Sequence, residues 1–347
     1  MLSDALLSYA KKLGFGELFF KIDEIHQLCA IVAIHSTRLG PALGGCRFIE
    51  YTSINLAICD ALRLAQGMSY KAALANLPLG GGKTVLMRPQ SIYDRTAYFR
   101  SLGRFVNELK GRYIIAMDSG VVIEDMDSIA LETPYVVTTS KHKGNPAPYT
   151  ALSVLYGIEA AVKFKLHRDN LEGIHIAIQG VGHVGFALAN ALQKKGARLT
   201  ICDNNTSLIE RYAKDLRATL VDPNDIYAVH CDVFSPCALG GILNDEVIAK
   251  LNTAIVAGAA NNQLAEPRHA DLLHKKNILY APDYVINSGG LIYAYAEYQN
   301  RLNREHVAQQ IRTIYSTLLG IFKCADEENK LPSEVADRLA EARLNQL

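Results

Sequence analysis

The 347-residue chain has little of what marks a protein for a special environment. It has almost no net charge: 36 lysines and arginines against 35 aspartates and glutamates leave +1. No bulk field therefore draws it to nucleic acid or to an anionic membrane. It has no apolar run of bilayer length. Its first residues, Met-Leu-Ser-Asp-Ala-Leu-Leu, carry neither the basic start nor the apolar core of a signal peptide, so a cytoplasmic protein is expected. Seven cysteines are present, an odd number without a CxxC pair, and no histidines stand at zinc spacing around Cys231 and Cys237. Neither a disulfide framework nor a metal site is expected; the thiols read as reduced and packed as small apolar groups. No internal repeat or low-complexity tract occurs. What remains is ordinary: 49% hydrophobic and 20% charged residues, the balance of a globular chain, at a length that suggests about two domains.

One stretch stands out, Gly67-Met-Ser-Tyr-Lys-Ala-Ala-Leu-Ala-Asn-Leu-Pro-Leu-Gly-Gly-Gly-Lys-Thr84, with Lys71, Lys83 and three glycines before the second lysine. Upstream, Ile54, Ala57, Ile58, Ala61, Leu62, Ala65 and Met68 recur at helical spacing, which predicts a helix from about Ser53 towards Lys71. Thr84–Met87 reads as a short strand, so Lys83 is expected where a glycine-rich turn enters a strand and backbone can approach a ligand. Two lysines at one cleft suit gripping a carboxylate and moving a proton. Gly82-Lys83-Thr84 also has the look of a phosphate loop, but that motif needs a glycine where Leu77 stands.

Around this stretch the first part of the chain reads as a short amphipathic helix within residues 1–16 and strands at Phe19–Ile22 and Cys29–Ile34. A glycine-dense turn over Leu39–Phe48 and a helix from about Asp94 to Lys110 follow. Tyr113–Ala116 reads as a strand that delivers Asp118 at its end, and Glu124, Asp125 and Asp127 open a helix where carboxylates suit the dipole. A boundary is expected over Thr138–Pro148. Beyond it come a helix from near Thr150 to Phe164, then strands at Ile174–Gln179, Leu199–Cys202, Val233–Phe234, Ala254–Ala257 and Ile278–Tyr280, with helical patterns between them. Such alternation calls for a doubly wound parallel sheet in an α/β protein. From Ile292 onward the chain reads as helices.

The strand Ile174–Gln179 runs directly into Gly180-Val-Gly-His-Val-Gly185, and the next strand ends on Asp203. Glycines at this spacing between strand and helix, with an acidic residue about 20 positions on, form a dinucleotide site. Gly180 permits the tight turn, Gly182 lets backbone meet the pyrophosphate, and Gly185 lets helix and strand pack closely. His183 and Val184 stand in this turn, ahead of a helix expected from Phe186 to Lys195 whose amides and dipole face the phosphates. Asp203 suits the ribose hydroxyls and repels a 2′-phosphate, and Asn204 and Asn205 bring no positive charge, so NAD is favoured over NADP. A 2-hydroxy-acid dehydrogenase shares such a domain but needs a His–carboxylate pair and a substrate arginine. His175 and His183 read instead as a strand residue and a loop residue.

Six motifs carry a resemblance: Pro41-Ala-Leu-Gly-Gly-Cys-Arg47, Gly67-Met-Ser-Tyr-Lys71, Leu79-Gly-Gly-Gly-Lys83, Met117-Asp-Ser-Gly120 with Val122–Asp127, Gly144-Asn-Pro-Ala-Pro-Tyr-Thr150 and Ala281–Gly290. Together they resemble the Glu/Leu/Phe/Val amino-acid dehydrogenases, nearest to the leucine-dehydrogenase pattern, over nearly the whole chain. The resemblance implies reversible, NAD-dependent oxidative deamination of a hydrophobic L-amino acid (leucine, also isoleucine and valine) to the 2-oxo acid and ammonium. It implies an N-terminal substrate and oligomerisation domain over 1–140, a Rossmann-type NAD domain over 141–325, and a C-terminal helix, 326–347, packing back on the first domain. A homo-oligomer is implied, with neither nucleic acid nor membrane as partner.

By the same resemblance Lys83 is the general base, acting through water, Asp118 assists proton transfer at the amino group, and Lys71 binds the α-carboxylate. Thr150 and Asn262, within Asn261-Asn262-Gln263, meet the nicotinamide end of the cofactor. The substrate side chain is met by Leu43, with Gly44 beside it, Ala116, Leu291 and Ala294. No lysine stands at position 43, so glutamate is disfavoured, because a buried carboxylate without a partner is costly. Leu291 and Ala294 replace two valines of the leucine pattern, and Val121 and Val122 replace threonines. These departures keep a phenylalanine dehydrogenase in view, because a hydrophobic pocket discriminates by only about 1–3 kcal/mol per methylene. A non-catalytic NAD-binding relative is the alternative of another class; the presence of Lys71, Lys83 and Asp118 together argues against it.

Overall fold

The computed structural model describes residues 4–89, 94–141 and 144–346. Leu2 of the expected first helix, and His142 and Lys143 of the expected boundary, lie outside the described residues. The chain divides into two compact α/β units. One comprises residues 1–144, 294–301 and 340–347, the other residues 145–293 and 302–339. These limits differ from 140/141 and 325/326: the short segments 294–301 and 340–347 join the first unit, and residues up to 339 stay in the second.

In the first unit α1 (Asp4–Lys12) precedes the antiparallel pair β1 (Glu17–Asp23) and β2 (Leu28–Ser36). Then come β3 (Ala42–Ile49), α2 (Ile54–Leu74), β4 (Gly80–Met87), α3 (Arg95–Glu108), β5 (Tyr113–Met117) and α4 (Ile123–Ala130). The five strands form one sheet in the order β1-β2-β4-β3-β5, antiparallel between β2 and β4 and parallel from β4 through β3 to β5. Because strand side chains alternate, β2 feeds two cores. Ile31 and Ala33 meet Ala57, Ile58, Ala61, Leu62 and Ala65 of α2 on one face. Leu28, Ala30, Val32 and Ile34 meet Tyr98, Phe99, Leu102 and Phe105 of α3 on the other. Ser53 caps α2 by accepting the Leu56 N–H at 3.3 Å, and Asp94 caps α3 by accepting the Ala97 N–H at 2.9 Å, which satisfies donors the helices leave orphaned.

Two sequence readings are corrected here. The glycine-dense stretch over Leu39–Phe48 is largely strand β3, and the triplet Gly80-Gly81-Gly82 lies inside β4, so Lys83 sits within a strand and not at its entrance. Glycine disfavours strands, but here neighbouring backbone leaves no room for any side chain. A Cβ on Gly81 would stand 2.0 Å from the Ser69 nitrogen of α2, and one on Gly44 would stand 1.8 Å from the Gly82 carbonyl oxygen.

The second unit begins with α5 (Ala147–Leu166) and β6 (His175–Gln179), followed by α6 (His183–Lys194), β7 (Arg198–Cys202), α7 (Thr206–Leu216) and the two-residue β8 (Thr219–Leu220). Next come β9 (His230–Pro236), α8 (Asp245–Lys250), β10 (Asn252–Val256), α9 (His269–Lys275), β11 (Leu279–Tyr280) and α10 (Asp283–Ile286). The chain passes between units within α11 (Gly289–Tyr298) and again within α13 (Pro332–Leu344), with α12 (Arg304–Glu328) between them in the second unit. Its six strands are all parallel, in the order β11-β10-β9-β6-β7-β8. Ala177, Phe234 and Val256 face Ile248 of α8 and Leu273 of α9, while Ile176, Ile178, Val233 and Ile255 point the other way and are equally buried. Both faces are covered, as in doubly wound sheets. The strand order reverses between β6 and β9, and the crevice beyond the carboxyl ends of such strands is where ligands bind. Among the described residues no helix is long and apolar enough to cross a membrane, and no group of His, Cys, Asp and Glu side chains could hold a metal ion.

Candidate active site

In the first unit Lys83 and Asp118 form an ion pair between the Lys83 Nζ and the Asp118 Oδ2. Lys83 is 6% exposed; a buried ammonium without a partner is costly, and the carboxylate removes that cost. The two residues belong to β4 and to the residue after β5, with β3 lying between those strands. Asp118 can reach across because β3 places Gly45 there: a Cβ on Gly45 would stand 2.8 Å from the Asp118 Cβ. The turn carrying Asp118 is tied to β3, since the Ser119 carbonyl accepts the Phe48 N–H at 2.8 Å. Gly120 has φ +82, and a Cβ on it would stand 1.9 Å from the Phe48 carbonyl oxygen.

Charge alternates around the pair. Arg47 Nε lies 3.7 Å from Asp118 Oδ2, and Arg47 Nη1 donates to Asp60 Oδ2 at 2.7 Å. Burial alone would raise the Asp118 carboxyl, but the Lys83 ammonium, the Ser119 amide and the Arg47 guanidinium outweigh it and hold the group below the ordinary carboxylate value. Cys46, wholly buried beside them, is pushed well up by burial despite the attraction of Lys83. It is an inert thiol. Tyr113 accepts from the Thr84 hydroxyl and donates to the Gly44 carbonyl, each at 2.9 Å, which pins the backbone of β3 beside Lys83.

Lys71 lies on α2, half-buried, two residues beyond Ser69. Ser69 is the residue against which Gly81 packs, and Lys83 is two residues beyond Gly81. Helix α2 carries Lys71 and strand β4 carries Lys83, and the two elements pack together where Gly81 meets Ser69. Leu43 is 2% exposed on β3 and pairs with Gly81 and Ile114; its neighbour in sequence is Gly44, and Ala116 pairs with Gly45. Ala294 belongs to the first unit and Leu291 to the second.

In the second unit Gly180 has φ +91 directly after β6, and a Cβ on Gly185 would stand 2.0 Å from the Gly180 carbonyl oxygen. Gly182 caps α6 without any side chain, and a Cβ there would meet nothing within 4 Å. The helix N-terminus that begins with His183 and Val184 is thus open to a phosphate group. Asp203 Oδ2 accepts the Val181 N–H at 2.8 Å and Oδ1 accepts the Asn205 N–H at 3.0 Å, which fixes the carboxylate at the end of β7. This glycine turn, open helix end and fixed carboxylate fit a nicotinamide dinucleotide.

At the other side of the switch point Asn262 holds a left-handed backbone, φ 51, with its N–H donated to Asp283. Asn287 Nδ2 donates to Asn261 Oδ1 at 2.7 Å and to the Ala259 carbonyl at 3.1 Å. Thr150 stands against Gly290, where a Cβ would lie 2.6 Å from its Oγ1. The sequence reading missed Arg47, Asp60 and Asp283 as members of these networks. Arg47 stands inside a quoted motif, but its charge partner Asp60 has no sequence mark beyond helical position. Asp283 also stands inside a quoted motif, at the start of α10, but its contact with Asn262 spans 21 residues and has no sequence mark.

Comparison with known proteins gives concordant results. A family model described as "Glu/Leu/Phe/Val dehydrogenase, dimerisation domain" matches residues 18–135, and "Glutamate/Leucine/Phenylalanine/Valine dehydrogenase" matches residues 201–340. Leucine dehydrogenase of Geobacillus stearothermophilus is 46% identical over 342 residues, 98% of this chain and 93% of that one. L-tryptophan dehydrogenase of Nostoc punctiforme is 43% identical over 98% of this chain and 96% of that one. The crystal structure of that enzyme superposes with a TM-score of 0.87, covering 98% of both chains. Phenylalanine dehydrogenase of Caldalkalibacillus thermarum is 40% identical over 94% of this chain and 90% of that one.

Proposed function

The chain belongs to the Glu/Leu/Phe/Val dehydrogenase family, and from that premise we propose that it oxidatively deaminates hydrophobic L-amino acids with NAD. Leucine, isoleucine and valine are the first substrates. The balanced reaction takes amino acid, NAD⁺ and water to 2-oxo acid, ammonium, NADH and a proton, and it is reversible. The observation that carries the reading is the buried Lys83–Asp118 ion pair.

Lys71 grips the substrate α-carboxylate as a point charge. Asp118, held ionised, takes a proton from the substrate ammonium and keeps the amino nitrogen in place. NAD, which Gly180, Gly182, Gly185 and Asp203 would hold, would supply the acceptor for the α-hydrogen as hydride. Lys83, once its own ammonium proton has passed to solvent, then removes a proton from the water that adds to the resulting substrate imine, and the proton it gains is available to the departing amine. Burial of Lys83 strengthens its charge contact with Asp118.

Asp203 supports NAD over NADP, because both its oxygens are already fixed by backbone donors and would face a 2′-phosphate with like charge. Thr150 and Asn262 serve the nicotinamide end. Leu43, Gly44, Ala116, Leu291 and Ala294 are the residues we assign to the substrate side chain, and none of the five is a cation for a second carboxylate. We place the protein in the cytoplasm as a homo-oligomer, in keeping with the dimerisation domain its first part matches. A second reading, an aromatic amino acid as preferred substrate, is favoured by the tryptophan and phenylalanine dehydrogenases at similar identity and by the small side chain of Ala294.

Initial rates of NADH formation at alkaline pH with leucine, isoleucine, valine, phenylalanine, tryptophan and glutamate, each with NAD or NADP, test the proposal. Aliphatic substrates with NAD are expected to lead. An aromatic substrate in front moves the reading to the second; no turnover from protein that binds NAD abandons both.

A further inference from the structure

We propose that Arg47 is a positioning residue for the active site: its guanidinium, anchored on Asp60, presents a fixed positive charge to Asp118 Oδ2, the same oxygen that pairs with Lys83. The inference rests on the reading of Lys83 and Asp118 as the proton-handling pair. Three observations carry it. Arg47 Nε is buried, has no hydrogen-bond partner, and lies 3.7 Å from Asp118 Oδ2. The far end of the same guanidinium is fastened, since Nη1 donates to Asp60 Oδ2 at 2.7 Å. Asp60 itself is held by the Tyr51 hydroxyl at 2.7 Å and by Arg63 Nη2 at 3.1 Å. An arginine that served only to neutralise Asp60 would not need to bury an unpaired Nε against a second carboxylate.

The groups facing Asp118 come from every neighbouring element: Lys83 of β4, Arg47 and the neutral Cys46 thiol of β3, Ser119 beside it and the neutral Tyr113 of β5. Among the described residues, Lys83 and Arg47 are the cations that lower the Asp118 carboxyl. While Lys83 is without its proton during turnover, Arg47 still presents a positive charge that holds the Asp118 side chain in place. A planar guanidinium can hold Asp60 and face Asp118 at once; a lysine offers one point charge and serves them less well.

Arg47→Met and Arg47→Lys test this. In each, kcat and KM are measured, and Asp118 ionisation is followed in the protein without substrate by infrared difference against Asp118→Asn. For Arg47→Met, kcat is expected to fall at least about tenfold with KM for the amino acid changed less than about threefold. The Asp118 titration should move up by about one pH unit, the lower end of what loss of a close cation produces. Arg47→Lys should recover part of both. An Asp118 titration that stays in place in folded Arg47→Met overturns the assignment, as does a loss of kcat that Arg47→Lys does not lessen. If Arg47→Met does not fold, Asp60→Asn reads the same quantity by freeing the guanidinium. A smaller upward shift is then expected, and no shift overturns the proposal. Wild-type protein that turns over no amino acid, while its Asp118 titration depends on Arg47, refutes the proposed function and leaves the role of Arg47 standing.

Discussion

Gly45→Ala is a single-methyl test of how the ion pair is built. β3 runs between β4 and β5, so Asp118 passes over Gly45 to meet Lys83. The added Cβ would stand 2.8 Å from the Asp118 Cβ and 3.2 Å from its Cγ and Oδ2. Ordinary contact begins near 3.4 Å, so Asp118 has to retreat by about 0.6 Å. Its backbone cannot easily do so, because the Ser119 carbonyl is bonded to Phe48 at 2.8 Å and the Asp118 carbonyl to the Val121 amide at 3.1 Å. The side chain must move instead, away from Lys83. A misplacement of 1 Å costs about 100-fold in rate, so a loss in kcat of about tenfold is expected. Stability should fall by about 1–3 kcal/mol, the usual effect of overpacking. Steady-state kinetics with leucine and NAD, beside a thermal melt, read both quantities. Gly320→Ala, in α12 with open space at its Cβ, is the control and should stabilise by about 0.5–1 kcal/mol with unchanged kcat. A Gly45→Ala enzyme with wild-type kcat would refute the reasoning.

Three further outcomes are expected. Lys71→Ala should raise KM for the amino acid by at least about tenfold while kcat at saturation falls much less; the reverse split in steady-state kinetics rejects Lys71 as the carboxylate clamp. Asp203→Gly should narrow the preference for NAD over NADP by about tenfold or more, and weaken NAD itself because the Val181 N–H loses its acceptor; an unchanged ratio of kcat/KM for the two cofactors counts against it. Asp23 is held at about 2, below its ordinary 3.8, first by the Ser101 hydroxyl and then by His26, with burial opposing. A depressed carboxylate stabilises the fold fully above its unfolded value and loses that contribution as pH falls through the folded one. The deficit of Ser101→Ala in urea melts should therefore be full above about pH 4 and shrink towards pH 2; a deficit that grows in acid runs against the assignment.

Much of this arrangement is legible in the residues. The second unit was readable because helix and strand periods alternate cleanly and Gly180, Gly182, Gly185 and Asp203 each answer a separate mechanical need. The first unit was harder at β3 and β4, where glycine, a poor strand former, hides strands whose cause is the close approach of α2 and of neighbouring backbone. Thr219–Leu220, only two residues long, carries no period to detect. The lysines and Asp118 could be named from motifs, but Arg47 facing Asp118 from an anchor on Asp60 depends on register between strands. Register is a property of the folded sheet.

Turnover of Lys83→Ala tests the central claim most directly. The protein is compared with wild type for kcat with leucine and NAD, for NADH affinity by fluorescence titration, and for folding by thermal melt. The account predicts a folded protein that binds NADH as wild type does and loses kcat by orders of magnitude, because the group that takes the proton from water is gone. Near-normal turnover in that variant would contradict it.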